Sequence, residues 1–267
     1  MAASGSKSGE TGSPPTRLLL RQTRQARCFS ACNRAGHMVR QFHRPGWLRP
    51  WSCFWAMTLA VGCHHVPPSP TPAPLHTAAK DGSATQIKQV LDEGTDVNQT
   101  GPGGETALHW AAAYGHRDAA ELLLQRGAVV DARAADGATP LRMAAAEGQT
   151  ELVKLLLAHG ADPSIEDGDG VAPLHVAATG GHLEAIRLLL DHRAEVNVDD
   201  DDGTTPLHLA AACGQKAAVQ LLVERGANVN AADDHRLTPL DLAEENGHPE
   251  ITDFLVAHGA KVSEVRD

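Results

Sequence analysis

The stretch Thr-Pro-Leu-His-Leu-Ala-Ala-Ala-Cys-Gly-Gln at residues 205–215 decides the fold. Thr205 is placed to cap a helix, and Pro206 occupies the first helical turn, where a missing N–H costs nothing. The leucines and alanines that follow make a short helix with a small-residue face, which Gly214 ends. A second helix follows, and Gly226 stands where a left-handed C-terminal cap is required. One such unit cannot bury its apolar side alone, so it predicts neighbours that stack on it.

Three series of residues recur with a period of 33 residues. The first series begins tetrapeptides related to Thr-Pro-Leu-His, at Ala73, Thr106, Thr139, Ala172, Thr205 and Thr238. The second series contains the residues that end the first helix: Gly82, Gly115, Gly148, Gly181, Gly214 and Gly247. The third series ends the second helix: Gly94, Gly127, Gly160, Arg193, Gly226 and Gly259. Three series in one register predict a stack of six helix pairs.

The repeated unit resembles the ankyrin repeat. The strings TALHWAAAYGH from Thr106, APLHVAATGGH from Ala172 and TPLHLAAACGQ from Thr205 carry the resemblance, which covers residues 73–262. It implies an all-α solenoid of stacked helix–turn–helix units with β-turn fingers and a gently curved shape. We therefore assign an ankyrin repeat domain to residues 73–267, with repeats near 73–101, 102–134, 135–167, 168–200, 201–233 and 234–262.

The charge of the chain is divided unevenly between its two parts. Residues 1–66 hold nine basic residues against one acid, a net charge of +8. Residues 67–267 hold 14 basic residues against 32 acids, a net charge of −18. Phosphate binding requires clustered lysine and arginine, so the acidic part argues against a nucleic-acid partner.

Histidines recur in the repeats and raise the question of a metal site. Packed helices lie about 8–10 Å apart, whereas metal ligands lie about 2 Å from the ion, so one histidine per repeat cannot share an ion. We expect these histidines to hydrogen-bond the turns of neighbouring repeats, with local replacement of that network by Arg142 and Asp241. The histidines in question are His76, His109, His175 and His208.

No catalytic or cofactor motif is present in the repeats. The run of four aspartates ending at Asp202 lacks the ligand spacing of a calcium-binding loop, and aspartate and glycine are ordinary turn residues. A phosphate-cradling glycine loop and a nucleophile elbow are both missing from the sequence. The sequence predicts a protein that is not an enzyme and that requires neither a cofactor nor a metal.

The resemblance implies a partner-binding surface made of the finger tips and the residues that end each first helix. Carried onto this chain, these are Asp81, Glu105, Tyr114, Asp136, Glu147, Asp169, Asp201, Asp202, Asp234 and Glu245. Nearly all are acids, so we expect a negative concave face, a basic protein partner and a monomer. Tyr114, the only tyrosine, is the expected aromatic anchor. Trp110 is expected in the core, because other repeats have threonine or an apolar residue at its position.

The predicted function is a non-enzymatic protein–protein interaction scaffold. A regulatory or inhibitory subunit of an enzyme and an intracellular adaptor are the alternatives, because one fold can present many different surfaces.

Residues 38–63 resemble a secretory signal, with arginines followed by a short apolar run. That run is too short to span a bilayer. The ending Leu59-Ala-Val-Gly-Cys63 resembles a bacterial lipobox, which implies lipidation of Cys63, a Pro-rich tether at 64–72 and a periplasm-facing place in the cell envelope. Residues 1–37 would then be a basic disordered extension or the product of a misassigned start, with Met38 as the true one. A mitochondrial presequence and a disordered cytoplasmic tail remain the alternatives for this region.

Overall fold

A computed structural model describes residues 74–262, which form twelve helices and, within that range, no strand. In chain order the helices are α1 Pro74–Lys80, α2 Ala84–Asp92, α3 Ala107–Tyr114, α4 Arg117–Gln125, α5 Pro140–Ala146, α6 Thr150–Ala158, α7 Pro173–Gly180, α8 Leu183–Asp191, α9 Pro206–Ala212, α10 Lys216–Glu224, α11 Pro239–Glu245 and α12 Pro249–Ala257. We call the odd-numbered helices inner and the even-numbered ones outer, and each successive pair one repeat. None of the helices in this part of the chain is long and apolar enough to cross a membrane.

The core is a ladder that runs through all six repeats. Each inner helix packs against its own outer helix and against the next inner helix, and the outer helices likewise pack in sequence. Alanines buried on the inner helices, such as Ala111 and Ala144, let these helices approach closely. Every inner helix contributes one leucine that is at most 1% exposed: Leu75, Leu108, Leu141, Leu174, Leu207 and Leu240. The apolar interior is therefore thin and continuous, as the repeat pattern predicts.

The ends of the outer helices adopt the left-handed geometry that their glycines predict. Gly127 and Gly226, for example, have φ of +88° and +92°. Arg193, which replaces glycine in the fourth repeat, keeps the same conformation with a φ of +71°. Its side chain is exposed, so the strain at this residue is that of its backbone.

The fingers are the turns that connect one repeat to the next, and backbone hydrogen bonds join them. The N–H of Gly168 donates to the carbonyl of Asp136 at 2.8 Å, and the N–H of Asp234 donates to the carbonyl of Asp202 at 3.0 Å. Equivalent bonds join Ala135 to Gly103 at 2.9 Å and Asp201 to Asp169 at 3.2 Å. The finger tips of five consecutive repeats are thus held in one row.

Glycine is required in these fingers because the next finger is so close. A Cβ added at Gly104, Gly137, Gly170 or Gly203 would lie 2.6–3.1 Å from a backbone nitrogen of the following finger. The last finger has Arg236 at the equivalent residue, with a φ of +61°. No further finger packs on it within residues 74–262, so a side chain fits there. The sequence pattern alone does not reveal this second left-handed arginine.

Candidate partner-binding surface

In repeats one, two, four and five, a histidine of the inner helix links the repeat to the next one. His109 Nδ1 accepts hydrogen bonds from the Thr106 N–H at 3.0 Å and from the Thr106 hydroxyl at 2.9 Å. His109 Nε2 donates to the carbonyl of Ala138, in the following repeat, at 3.0 Å. The same donation to the next repeat is made by His76 to Glu105 at 3.0 Å, by His175 to Thr204 at 2.9 Å and by His208 to Leu237 at 3.1 Å. The structural role predicted for these histidines is confirmed.

This geometry fixes the protonation state of the buried imidazoles. Backbone N–H groups point at Nδ1 of His109, His175 and His208, and carbonyls face Nε2, so each ring carries its proton on Nε2. Burial lowers the pKa of all three rings below the usual 6.5, although nearby carboxylates and carbonyls oppose the shift. Both nitrogens of each ring are therefore occupied. Among residues 74–262, no three histidines, cysteines or acids are grouped so that they could hold a metal ion.

Arg142 and Asp241 replace this histidine in repeats three and six, and their side chains make different contacts from each other. The Arg142 guanidinium forms an ion pair with Asp167 in the next finger, and the two side chains are only 11% and 6% exposed. Asp241 Oδ2 accepts from the Thr238 N–H at 2.9 Å and from its hydroxyl at 2.7 Å, so it caps the last inner helix. A carboxylate has no proton to donate onward. Asp241 therefore reproduces the capping half of the histidine's role and not the linking half.

A second set of side chains ties the ends of neighbouring inner helices together. His116 Nε2 donates to the carbonyl of Lys80 at 2.8 Å, and Gln149 Nε2 donates to that of Ala113 at 3.4 Å. His182, Gln215 and His248 make the equivalent bonds to Ala146, Thr179 and Ala212, each at 3.1 Å. Our sequence reasoning missed these residues. The available signal is that histidine or glutamine follows the helix-ending glycine in repeats two to six.

The acids predicted at the finger tips lie in one row on the surface. We call this row the finger ridge and define it as Glu105, Asp136, Asp169, Asp201, Asp202 and Asp234. Glu105 is half-buried and the others are exposed. The carboxylates of Asp169, Asp201, Asp202 and Asp234 make no hydrogen bond or ion pair within the described residues, whereas Asp136 Oδ1 accepts from the Ala138 N–H at 3.0 Å.

Other acids in the fingers are structural. Asp200 Oδ1 accepts from the N–H groups of Asp202 at 3.0 Å and Thr204 at 2.8 Å. Asp167 and Asp233 make the equivalent pairs of bonds in their own fingers. These carboxylates fix the turn. In these three fingers the N–H donors of the turn are bonded to Asp167, Asp200 and Asp233, and not to the finger-ridge carboxylates.

The predicted helix-end residues differ in exposure. Asp81 and Glu245 are exposed, and Tyr114 and Glu147 are half-buried. Burial raises the pKa of the Glu147 carboxyl above its usual value. Glu147 therefore lies in a less solvated site than the finger-ridge acids.

The prediction that Trp110 belongs to the core is wrong. Trp110 is only partly buried and packs at the edge of the core. Its ring stacks on Tyr114 with centroids 6.1 Å apart, and Lys80 Nζ lies 5.7 Å from the Trp110 centroid and 5.5 Å from that of Tyr114. At the same position in other repeats, Val176 and Leu242 are buried, Met143 and Leu209 are half-buried and Thr77 is exposed. The position lies at the edge of the inner-helix layer, so the indole there is only partly buried and packs beside Tyr114.

The repeat geometry agrees with comparisons to known proteins. A family model described as ankyrin repeats (3 copies) matches residues 75–167, 143–233 and 174–265. The chain belongs to the ankyrin repeat family. The crystal structure of the human ASB11 ankyrin repeat domain is similar to it, with 32% sequence identity and a TM-score of 0.65 over 71% of this chain and 85% of that chain. A search of curated proteins gave no match.

The family and the fold predicted from the sequence are confirmed. Ankyrin repeats are in general protein–protein interaction modules, and the family is typically non-enzymatic. The predicted lipidation residue, Cys63, and the predicted segments 1–37, 38–63 and 64–72 lie outside the described residues.

Proposed function

We propose that this ankyrin repeat protein is a non-enzymatic scaffold that binds a basic protein through the finger ridge and the adjoining helix ends. One observation carries the proposal: exposed carboxylates of consecutive repeats are aligned by finger-to-finger backbone hydrogen bonds. Asp169 and Asp202 are linked to the next finger in this way. Their carboxylates make no hydrogen bond or ion pair within the described residues, so their charge is available to a partner.

Electrostatics supports a basic partner. Aligned like charges add their potentials, which raises the rate of encounter with an oppositely charged surface. The turn geometry is already fixed before binding, so little conformational entropy is lost when the partner arrives. The net charge of −18 over residues 67–267 acts in the same direction.

A comparison of three baits tests this function. The first is the wild-type chain, and the second is a ridge variant with Asp169→Asn, Asp201→Asn, Asp202→Asn and Asp234→Asn. The third is an outer-helix variant with Asp118→Asn, Glu151→Gln, Glu224→Gln and Asp253→Asn, which removes the same charge from exposed residues of the outer helices. Proteins captured from the native host and quantified by mass spectrometry should include basic proteins that the ridge variant loses and the outer-helix variant keeps. Equal capture by all three baits would contradict the proposal.

We also propose that the scaffold is tethered to a membrane through a lipid on Cys63, with 64–72 as the spacer. The support is the lipobox-like sequence at 59–63 and the proline content of the segment that follows it. The tether and the binding surface are separate proposals, and either can fail without the other.

A further inference from the structure

Three neighbouring inner-helix ends form one continuous patch in repeats one to three. The His116 side chain bonds the carbonyl of Lys80, and the Gln149 side chain bonds that of Ala113. These bonds hold the turns of the three repeats side by side. Tyr114 and Glu147 occupy the same position of successive repeats, 33 residues apart, at the ends of two inner helices that pack against each other.

The aromatic part of the patch already attracts a cation. The rings of Trp110 and Tyr114 are nearly parallel, with an interplanar angle of 19°. Lys80 directs its ammonium toward both rings, and no ion pair to this ammonium exists within residues 74–262. Aromatic ring faces carry negative potential and attract such a cation.

The polar part of the patch lacks donors. The Glu147 carboxylate is half-buried and makes no hydrogen bond or ion pair to any described residue. The phenolic oxygen of Tyr114 is buried and has no hydrogen-bond partner in the described part of the chain. Partly desolvated acceptors without donors are costly, so a donor supplied by a partner would be favoured here.

We infer that this patch is an arginine-binding pocket, in which a guanidinium from the partner packs against the Trp110–Tyr114 rings and donates to the Glu147 carboxylate. The inference rests on the proposed function, because it names the side chain through which the basic partner is recognised. Charge complementarity comes from Glu147 beside the rings, with exposed Asp81 one repeat away at the position of Tyr114.

Arginine fits this pocket better than lysine. A guanidinium is planar and carries five donors, so it can stack on an aromatic face while it pairs with a carboxylate. An ammonium is compact and strongly hydrated, and it must lose more hydration to do the same. The finger ridge, in contrast, attracts either residue, because solvated carboxylates act mainly through charge.

Two labelled peptides of equal charge, hexa-arginine and hexalysine, separate the pocket from the ridge. Their affinities for the full chain are measured by fluorescence anisotropy, with wild type, Glu147→Gln, Tyr114→Leu and the ridge variant. Glu245→Gln is the matched control, because it removes an exposed helix-end carboxylate from the last repeat. Thermal unfolding followed by circular dichroism verifies that each variant is folded. If Tyr114→Leu is not folded, Glu147→Gln alone tests the pocket.

We expect wild type to prefer the arginine peptide about tenfold. Glu147→Gln and Tyr114→Leu should reduce this preference to about twofold or less and change lysine-peptide affinity little. Glu245→Gln should leave the preference unchanged, and the ridge variant should weaken both peptides by a similar factor. Equal affinity of wild type for the two peptides, or equal loss of both in Glu147→Gln, would overturn the pocket and leave the basic-partner proposal standing. Failure of both peptides to bind would overturn both.

Discussion

Arg142 on the inner helix of the third repeat forms an ion pair with Asp167 in the finger that leads into the fourth repeat, where other repeats use a histidine bonded to a carbonyl. The two side chains are nearly buried, so each charge depends on the other. The bond also joins an inner helix to the finger that follows it. It therefore contributes to the coupling of neighbouring repeats.

Removal of the Arg142 side chain should lower the free energy of unfolding. Arg142→Ala leaves the Asp167 carboxylate buried without its cation and should lower the free energy of unfolding by about 3 kcal/mol. Arg142→His should cost less than Arg142→Ala, because histidine can cap Thr139 and reach the next carbonyl as His109 does, and because the equivalent Asp200 and Asp233, in their own fingers, lie beside a histidine. Urea denaturation measures both. Arg126→Ala, which breaks an exposed pair with Asp92, is the control and should cost less than about 1 kcal/mol. Equal losses of unfolding free energy in Arg142→Ala and Arg126→Ala would contradict the stabilising role of the nearly buried ion pair.

Replacement of Arg193 by glycine should stabilise the protein, in contrast to the loss of the Arg142 side chain. With a φ of +71°, Arg193→Gly should raise the free energy of unfolding by about 1 kcal/mol. Gly160→Arg is the reverse control, since Gly160 has a φ of +86° and open space around an added Cβ. It should destabilise by a similar amount. A lower denaturation midpoint for Arg193→Gly would show that its side chain makes a stabilising contact larger than the backbone strain.

The buried histidines should make stability depend on pH. The unfolded state binds protons near the usual histidine pKa of 6.5, whereas burial lowers the pKa of His109, His175 and His208 in the folded state. Their contribution is therefore fully present above pH 6.5 and is lost as the pH falls toward the lowered pKa. Each ring should add a slope of up to about 1.4 kcal/mol per pH unit.

Urea midpoints measured between about pH 7.5 and 5 check this dependence. His208→Gln keeps an acceptor for the helix cap but cannot titrate, so it should flatten the curve. His159→Gln, at an exposed helix end, is the control and should leave the slope as in wild type. A curve that His208→Gln does not flatten would mean that the pKa of His208 is not lowered in the folded protein.

The fold could be predicted from the sequence because the repeats constrain the backbone at the same positions. Gly127 and Gly226 mark left-handed helix ends, and the series then identifies Arg193 as a residue forced into the same conformation. The sequence pattern did not identify Arg236 as a left-handed residue, because a side chain fits at this position only where no further finger packs against it. Only the structure shows that a Cβ at Gly203 would meet the next finger at Asp234, and that Arg236 meets none within residues 74–262.

The binding surface could be predicted only in part. The finger ridge follows from the repeat register, since one register places Asp169 and Asp202 at the same point of successive fingers. The register also assigns an apolar character to the position of Trp110, but it carries no information on the space available there. The partner of Arg142 was not predictable either, because Asp167 becomes its neighbour only when one repeat is stacked on the next.

The proposed tether makes a separate prediction. If Cys63 carries a lipid, Cys63→Ser should remain in the aqueous phase while wild type partitions into detergent with the membrane. Mass spectrometry of the mature chain should then find residues 1–62 removed and an acylated Cys63. Equal partitioning of the two proteins, or a mature chain that retains residues 1–62, would exclude the tether and leave the binding surface unaffected.

The central claim is that the finger ridge recruits a basic protein through its charge, and association kinetics tests it most directly. For a basic protein captured with the wild-type chain, the association rate constant is measured by surface plasmon resonance across a range of salt concentrations. We predict that the rate constant falls as salt rises, because salt screens charges more than about 8–10 Å apart. In the ridge variant it should be slower and nearly independent of salt, while the outer-helix variant should match wild type. The same rate and the same salt dependence in wild type and ridge variant would contradict the account.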